Sequence, residues 1–342
     1  MKHNSKIYIA GHTGTAGSAI LNYLKNKGYS NLVFRKSSDL DLKNQFEVES
    51  FFACENPEYV FMCAATPCGV ANMQFRADFI YENTIMQMNV IHASYKYKVN
   101  KMLCFGSGYM YPKYAQNPLK EESVLSGVLD YSIEPYALSK IIALKSCEAY
   151  NQQYKTNFIC ASINNLYGGH ANFDLNRARL IPALLRKFYL GKLLQECQYE
   201  RLSIDLKIKD IDEIVKYLNN NGIFKTNIIL WGDGKTRREF IHCDDLAEAC
   251  VFLMKQDIST YHQHFNIGTC VDYSVAEVAD IIKNIVGFNG NIDFDISKPN
   301  SSMNRLLDSS KIHSLGWKHK IKLEDGIQMM YNWYLEKSKE EE

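Results

Sequence analysis

Short apolar runs alternate with helical patterns along the first 170 residues, and this alternation limits the fold more than any other feature. The first run, residues 6–10, leads into a glycine-rich turn and then into a helical pattern that stops at Gly28. Further apolar runs follow at residues 32–34, 59–63, 102–105 and 158–163, separated by helical segments. Repeats of this length predict an α/β fold, a Rossmann-type doubly wound parallel sheet with helices on both faces.

The second half of the chain is less regular and predicts a smaller mixed α/β domain. We expect a first domain over residues 1–170, with a returning segment near 226–262 whose apolar run at 228–231 rejoins the sheet. The second domain then covers residues 171–342 and contains an insertion near 191–228. That insertion either reshapes the substrate pocket, packs against a partner subunit or lies in solvent.

Charge and cysteine usage exclude several functional classes. Lys plus Arg number 39 against 38 for Asp plus Glu, so the chain offers no global field for nucleic acid or an acidic membrane. No run approaches the roughly 18 apolar residues that span a bilayer, and residues 6–10 lead straight into the glycine turn without a signal peptide. Neither the ten cysteines nor the nine histidines show metal-ligand spacing. We therefore expect a cytoplasmic protein with reduced thiols and no metal.

The glycine-rich turn has the spacing of a dinucleotide site. Three glycines follow the first strand and open a helix, where they allow a tight turn, close approach to a pyrophosphate and helix–strand packing. The predicted contacts there are Gly11, Thr13, Gly14, Thr15, Ala16 and Gly17, and Ala64 and Ala65 follow the third strand at the same edge of the sheet. An ordinary glycine turn is the alternative.

Arg35, Lys36 and Ser37 follow the second strand, where an NAD enzyme usually places an acidic residue for the ribose 2′-hydroxyl. Cationic and hydroxyl donors suit a 2′-phosphate, so the sequence favours NADP(H) over NAD(H). A solvated basic turn is the alternative for these residues.

Tyr136 and Lys140 lie four residues apart, on one face of a predicted helix. A lysine ammonium beside a phenol favours the phenolate, which makes Tyr136 a candidate proton donor to an alkoxide. Ser107 lies just after the fourth strand and can hydrogen-bond a ketone oxygen. Together with a bound nicotinamide, these three residues form a hypothesis for carbonyl reduction, in which Lys140 also holds the nicotinamide ribose. The alternative for the Tyr/Lys pair is a half-buried surface contact.

These motifs resemble the extended short-chain dehydrogenase/reductases, and the longer stretches resemble the GDP-L-fucose synthases, which are 3,5-epimerase-4-reductases. The similarity runs through nearly the whole chain and includes Gly11-His12-Thr13-Gly14, Glu134-Pro135-Tyr136-Ala137, Asn165-Leu166-Tyr167-Gly168 and Arg238-Glu239-Phe240-Ile241-His242. The resemblance implies a homodimer formed through the helical segments 79–97 and 136–151. It also implies a sugar-nucleotide site at Ser107, Gly108, Tyr109, Asn165, Arg179, Lys187, Trp231, Arg238 and Arg305. We expect His242 to be structural and Asp244 and Asp245 to cap the next helix.

Two positions depart from that family. The fucose synthases carry a Cys and a His, the acid and base of epimerisation, where this chain has Tyr109 and Arg179. A guanidinium does not deprotonate and an unassisted phenol is a poor base. His170 is the one nearby residue that could substitute.

The resemblance therefore implies an NADPH-dependent C4 reductase of a GDP-4-keto-6-deoxy sugar, such as a heptose for bacterial capsule, without epimerase activity. Three alternatives stay open at this stage: a bifunctional fucose synthase, a non-catalytic sugar-nucleotide-binding protein and a 4,6-dehydratase. The last is disfavoured because Ser107-Gly108-Tyr109 stands where dehydratases carry Thr followed by an acidic residue.

Overall fold

Eleven strands and eleven helices are present in the described part of the chain, a computed structural model covering residues 1–66, 75–257, 263–298 and 304–340. The strands are β1 (Ile7–Ala10), β2 (Leu32–Val33), β3 (Tyr59–Met62), β4 (Lys101–Phe105), β5 (Phe158–Ile163), β6 (Asn165–Tyr167), β7 (Asn227–Trp231), β8 (Arg237–His242), β9 (His264–Ile267), β10 (Asp272–Ser274) and β11 (Asn291–Asp295). The helices are α1 (Thr15–Asn26), α2 (Gln45–Glu55), α3 (Arg76–Lys96), α4 (Glu134–Tyr154), α5 (Leu180–Gln195), α6 (Tyr199–Leu206), α7 (Ile211–Asn220), α8 (Cys243–Lys255), α9 (Val275–Val286), α10 (Ser310–Ser314) and α11 (Leu323–Glu340).

The chain divides into two compact units. Unit 1 comprises Met1–Leu166, Glu239–Val271 and Arg305–Lys320, and unit 2 comprises Tyr167–Arg238, Asp272–Asn304 and Ile321–Glu342. Among the described residues, no helix is both long enough and apolar enough to cross a bilayer.

Unit 1 is built on a six-stranded parallel sheet in the order β2-β1-β3-β4-β5-β9. Alternate residues of β1 enter opposite cores: Ile7 and Ile9 pack with α1 and α8, whereas Tyr8 and Ala10 pack with α2, α3 and α4. Because both faces are covered, the strands are continuous apolar runs rather than alternating ones. The predicted Rossmann-type doubly wound sheet is confirmed.

Unit 2 is organised around α5, which packs against α6, α9 and β7. β7 and β11 form a parallel pair, with Trp231 opposite Asp295. The insertion folds into α6 and α7, whose apolar residues Leu202, Ile214 and Leu218 are fully buried. Arg186 on α5 donates through Nε to Asp205 Oδ1 at 2.9 Å, so the insertion is held by a partly buried ion pair as well as by packing.

One expectation about the sheet is wrong. The run at 228–231 does not rejoin the main sheet, because β7 pairs with β11 in unit 2. The sixth strand of the main sheet is β9, whose Phe265 and Ile267 are buried beside β5. An apolar run of this length indicates a strand but does not reveal which strand it pairs with.

The predicted domain boundaries and the roles assigned to the two domains stay predictions.

Candidate active site

The glycine turn after β1 has the shape that close approach to a pyrophosphate requires. Gly11 has φ +78°, and a Cβ there would lie 2.7 Å from the backbone of Ala64, so the β1 and β3 ends meet tightly. A Cβ on Gly17 would lie 2.2 Å from the Gly11 carbonyl oxygen. Gly14 is the N-cap of α1, and it is exposed together with Thr13, while Thr15 and Ala16 form the first helical turn. Exposed amides at a helix N-terminus suit a phosphate, so this turn fits the predicted dinucleotide.

The basic residues after β2 lie beside that turn and are exposed. Arg35 Nη1 donates to the Phe34 carbonyl at 2.9 Å, and its Nη2 pairs with Glu55 on α2. Burial and the positive charge of Lys36 lower the pKa of His12, which belongs to the glycine turn. The Lys36 contact to a 2′-phosphate stays a prediction. Ser37 is exposed next to Lys36.

Ser107 follows β4 and caps a short 3-10 turn, Gly108–Met110. Its Oγ accepts the Tyr109 N–H at 3.2 Å, and a hydroxyl that accepts in this way can still donate its own proton. Ser107 is 7% exposed, which removes most competing water. The turn packs against α4, the helix that carries Tyr136 and Lys140, so the structure brings these predicted elements together.

Tyr136 and Lys140 share one face of α4, with the lysine Nζ 5.7 Å from the centre of the phenol ring. Lys140 is 3% exposed and donates to Gln87 Oε1 on α3 at 3.2 Å. An ammonium that is buried this far is held in one place by its acceptor. The charge beside the Tyr136 ring is therefore fixed rather than mobile.

The substitution at position 109 places a phenol at the Ser107 turn. The Arg305 guanidinium carbon lies 5.3 Å from the centre of the Tyr109 ring, a cation–π distance. Arg305 itself is 7% exposed and donates through Nη1 to the carbonyls of Gly108 and Tyr111. The predicted contact of Arg305 to the diphosphate stays a prediction. The structure adds that the Arg305 guanidinium hydrogen-bonds the turn that follows Ser107.

The other substituted position lies in unit 2. Arg179 is the exposed N-cap residue of α5. His170, the proposed substitute base, is also exposed, and its ring centre lies 5.2 Å from that of Trp333. The role of His170 as a substitute base stays a prediction.

Three further predicted substrate contacts lie in unit 2. Lys187 on α5 donates to the Ile229 carbonyl at 3.5 Å, and burial lowers its pKa to about 8. Trp231 ends β7 with 68% of its surface exposed, and the Lys298 Nζ lies 5.6 Å from its ring centre. Arg238 on β8 is half-buried.

Asn165, the remaining predicted sugar contact, donates to the Glu239 carbonyl at 2.9 Å in unit 1. Sequence reasoning assigned no role to Glu239, to Asn164, which donates to the Glu239 carboxylate, or to Gln87, which accepts from Lys140. An acidic residue directly before the buried pair Phe240-Ile241 was a signal that could have identified Glu239.

The helix cap predicted after β8 is a different residue. His242 is the N-cap of α8, and its Nδ1 accepts the Asp244 N–H at 3.3 Å, so the expectation that the aspartates cap this helix is wrong. Asp245 instead accepts the Lys320 N–H. His242, Cys243 and Asp244 have ligand atoms within 4.8 Å of one another, but the use of His242 as a cap explains that clustering.

The fold and the Ser107, Tyr136 and Lys140 set define a short-chain dehydrogenase-like protein. A family model described as the NAD dependent epimerase/dehydratase family matches residues 7–268, and one described as GDP-mannose 4,6 dehydratase matches residues 207–330. The chain belongs to the NAD dependent epimerase/dehydratase family.

One relative by sequence and two solved structures show which members of this family the chain resembles. The GDP-L-fucose synthase of Escherichia coli (strain K12) is 37% identical over 339 residues, which are 97% of this chain and 97% of that protein. A GDP-D-glycero-L-gluco-heptose synthase from Campylobacter jejuni, solved in the presence of NADPH, is 52% identical with a TM-score of 0.93. A GDP-mannoheptose C4 reductase from Campylobacter jejuni with NADP bound is 53% identical with a TM-score of 0.90. Both of these solved structures match 98% of this chain and 99% of their own. The predicted resemblance is confirmed.

Proposed function

We propose that this chain is an NADPH-dependent reductase of the C4 keto group of a GDP-linked 4-keto heptose, and that it lacks 3,5-epimerase activity. The observation that carries the proposal is a split in the site. Ser107 follows β4, and Tyr136 and Lys140 lie in the first two turns of α4. Tyr109 and Arg179, in contrast, replace the Cys and His on which epimerisation depends in the fucose synthases that the chain resembles. The 52–53% identity to proteins named as heptose synthase and C4 reductase supports the choice of substrate.

The residues that would hold the cofactor fit it. The Gly11–Gly17 turn would bind the pyrophosphate, because it opens the N-terminus of α1 and is packed so tightly that a Cβ at Gly11 or Gly17 would meet backbone atoms. Arg35, Lys36 and Ser37 would contact the 2′-phosphate. Ala64, Ala65, Tyr136 and Lys140 would border the nicotinamide half. When bound, NADPH supplies the hydride that C4 accepts.

The chain's own residues orient and protonate the oxygen atom of the ketone. Ser107, whose Oγ accepts the Tyr109 N–H, donates a hydrogen bond to the ketone oxygen and orients it. Tyr136 donates a proton to the same oxygen as charge develops there. Lys140, held by Gln87, stabilises the resulting phenolate. Asn165, Arg179, Lys187, Trp231, Arg238 and Arg305 are the proposed contacts to the sugar nucleotide.

The same geometry argues against epimerisation. Exchange of carbon-bound protons next to a ketone needs groups that gain and lose protons near neutral pH. Arg179 cannot act as a base, because its guanidinium stays protonated. The Tyr109 ring faces the Arg305 guanidinium rather than a base that could activate it.

We further propose a homodimer formed through α3 and α4. These helices pack together and carry a cluster of aromatic residues, in which the Tyr95 and Tyr154 rings stack with centres 4.1 Å apart. Tyr154 is 43% exposed in the single chain, so a second protomer could cover it. We also propose a cytoplasmic enzyme of capsule-sugar synthesis, in keeping with ten cysteines that show no paired spacing along the sequence.

The test is an assay of NADPH oxidation with GDP-4-keto-6-deoxy-mannose and with the corresponding GDP-4-keto-heptose, followed by NMR of the products. We expect higher kcat/KM with the heptose and a product whose C3 and C5 configurations match the substrate. NADPH oxidation with neither ketosugar would reject the function and favour a non-catalytic binding protein. A product inverted at C3 or C5 would favour the bifunctional alternative.

A further inference from the structure

Glu239 is a carboxylate held inside unit 1 with only 1% of its surface exposed. Its Oε1 accepts the Cys270 N–H at 2.8 Å, and its Oε2 accepts the Leu307 N–H at 3.1 Å and the Asn164 Nδ2 at 2.7 Å. Gly268 leaves room for it, since a Cβ there would lie 2.3 Å from Oε1. A buried acid with this many N–H donors is built into the fold as an acceptor.

Asn164 extends this network toward the turn after β4. Its Nδ2 also donates to the Arg305 carbonyl at 2.7 Å, and its Oδ1 lies so close to Gly108 that a Cβ there would be 1.9 Å away. Arg305 Nη1 in turn donates to the carbonyls of Gly108 at 2.9 Å and Tyr111 at 3.0 Å. One continuous set of hydrogen bonds therefore joins the Glu239 carboxylate to both ends of this turn.

The turn that receives these contacts is the one that Ser107 caps. We infer that Glu239 and Asn164 are positioning residues for ketone reduction, because through Arg305 they fix the turn that places the Ser107 hydroxyl. This inference rests on the proposed function. Neither residue needs to touch the substrate, since a displacement of about 1 Å in a catalytic group can cost about 10²-fold in rate.

The test is Glu239→Gln. The amide keeps the size of the side chain but turns one acceptor into a donor that faces other N–H groups. With rates expressed per NADPH-binding site, we expect kcat to fall about 10- to 100-fold while the NADPH Kd stays unchanged. The primary isotope effect with NADPH deuterated at C4 of its nicotinamide ring should rise, because a misplaced Ser107 slows the hydride-transfer step itself.

Asp245→Asn is the matched control. Asp245 is 3% exposed and accepts the Lys320 N–H at 3.1 and 3.2 Å, so this variant makes the same chemical change at an equally buried acid on α8. Its melting temperature should fall, while kcat per binding site and the isotope effect stay at wild-type values. If Glu239→Gln behaves like this control, Glu239 is merely structural and the inference is wrong.

Two further measurements keep the outcome clear. Asn164→Ser breaks the hydrogen bond between residues 164 and 239 but leaves the Glu239 carboxylate in place. It should also lower kcat, so it tests the inference even if Glu239→Gln does not fold. A crystal structure of either folded variant should show the Ser107 hydroxyl displaced, and an unmoved Ser107 would overturn the inference regardless of turnover. Failure of the wild-type protein to oxidise NADPH with any ketosugar would instead reject the proposed function.

Discussion

Lys187→Met tests whether a predicted substrate contact is maintained at a cost in stability. Burial lowers the pKa of Lys187 from 10.5 to about 8, so the folded protein holds a charge that the unfolded chain solvates better. The difference of about 2.5 units corresponds to about 3 kcal/mol at 1.36 kcal/mol per unit, and partial solvation reduces it to about 1–3 kcal/mol. Methionine keeps the apolar stem and lacks the charge.

The pH dependence follows from which state binds more protons. Between about pH 8 and pH 10.5 the unfolded chain keeps a proton on Lys187 that the folded protein has lost, so wild-type stability rises with pH in that window. Below about pH 8 the penalty is at its maximum. We therefore expect Lys187→Met to be more stable than wild type at about pH 7, and this advantage to shrink toward pH 10.

Urea unfolding followed by tryptophan fluorescence at about pH 7 and about pH 9.5 measures this difference. The same variant should raise the KM for the sugar nucleotide at least about 10-fold, because the proposed cationic contact of Lys187 to the substrate is lost. Lys192→Met is the control for binding: Lys192 lies on the same helix, donates to the Val286 carbonyl, and should leave that KM unchanged. A Lys187→Met protein that is less stable at neutral pH, or equally stabilised at both pH values, would refute the reasoning.

Three other variants test the proposed chemistry. Tyr136→Phe should lower kcat about 10²–10⁴-fold with near-normal NADPH binding, and a variant that keeps most of its rate would identify a different proton donor. Gly17→Ala should raise the NADPH Kd more than about 10-fold and lower the melting temperature, because the added Cβ meets the Gly11 carbonyl oxygen at 2.2 Å; isothermal titration and thermal scans measure both. The double variant Tyr109→Cys, Arg179→His should gain deuterium exchange next to the ketone, and no gain by NMR would show that other residues also limit epimerisation.

Strand–helix alternation was sufficient to predict most of unit 1. The apolar runs of β1, β3, β4 and β5 are buried on both faces, and such runs are visible without knowledge of their partners. β9 was missed because its four residues include His264 and Asn266, which are buried polar residues. His264 pairs with Ser162, and Asn266 with Tyr111, and such partners become known only once the chain has folded.

The candidate site shows the same division between local and long-range information. The glycine turn and the Tyr136–Lys140 pair are local patterns, so the sequence indicated them directly. Gln87 and Glu239 act across 53 and 75 residues of sequence, on Lys140 and Asn164 respectively, and residue spacing does not reveal contacts of that range.

Reduction without epimerisation is most directly tested by running the reaction in D₂O with the GDP-4-keto-heptose, unlabelled NADPH and a control without enzyme. The proposal predicts one NADPH oxidised per product, hydrogen from NADPH on C4, and no deuterium at C3 or C5 beyond the control. Enzyme-dependent deuterium at C3 or C5 would contradict it, because it would require an acid–base pair that the replacement of Cys and His by Tyr109 and Arg179 should have removed.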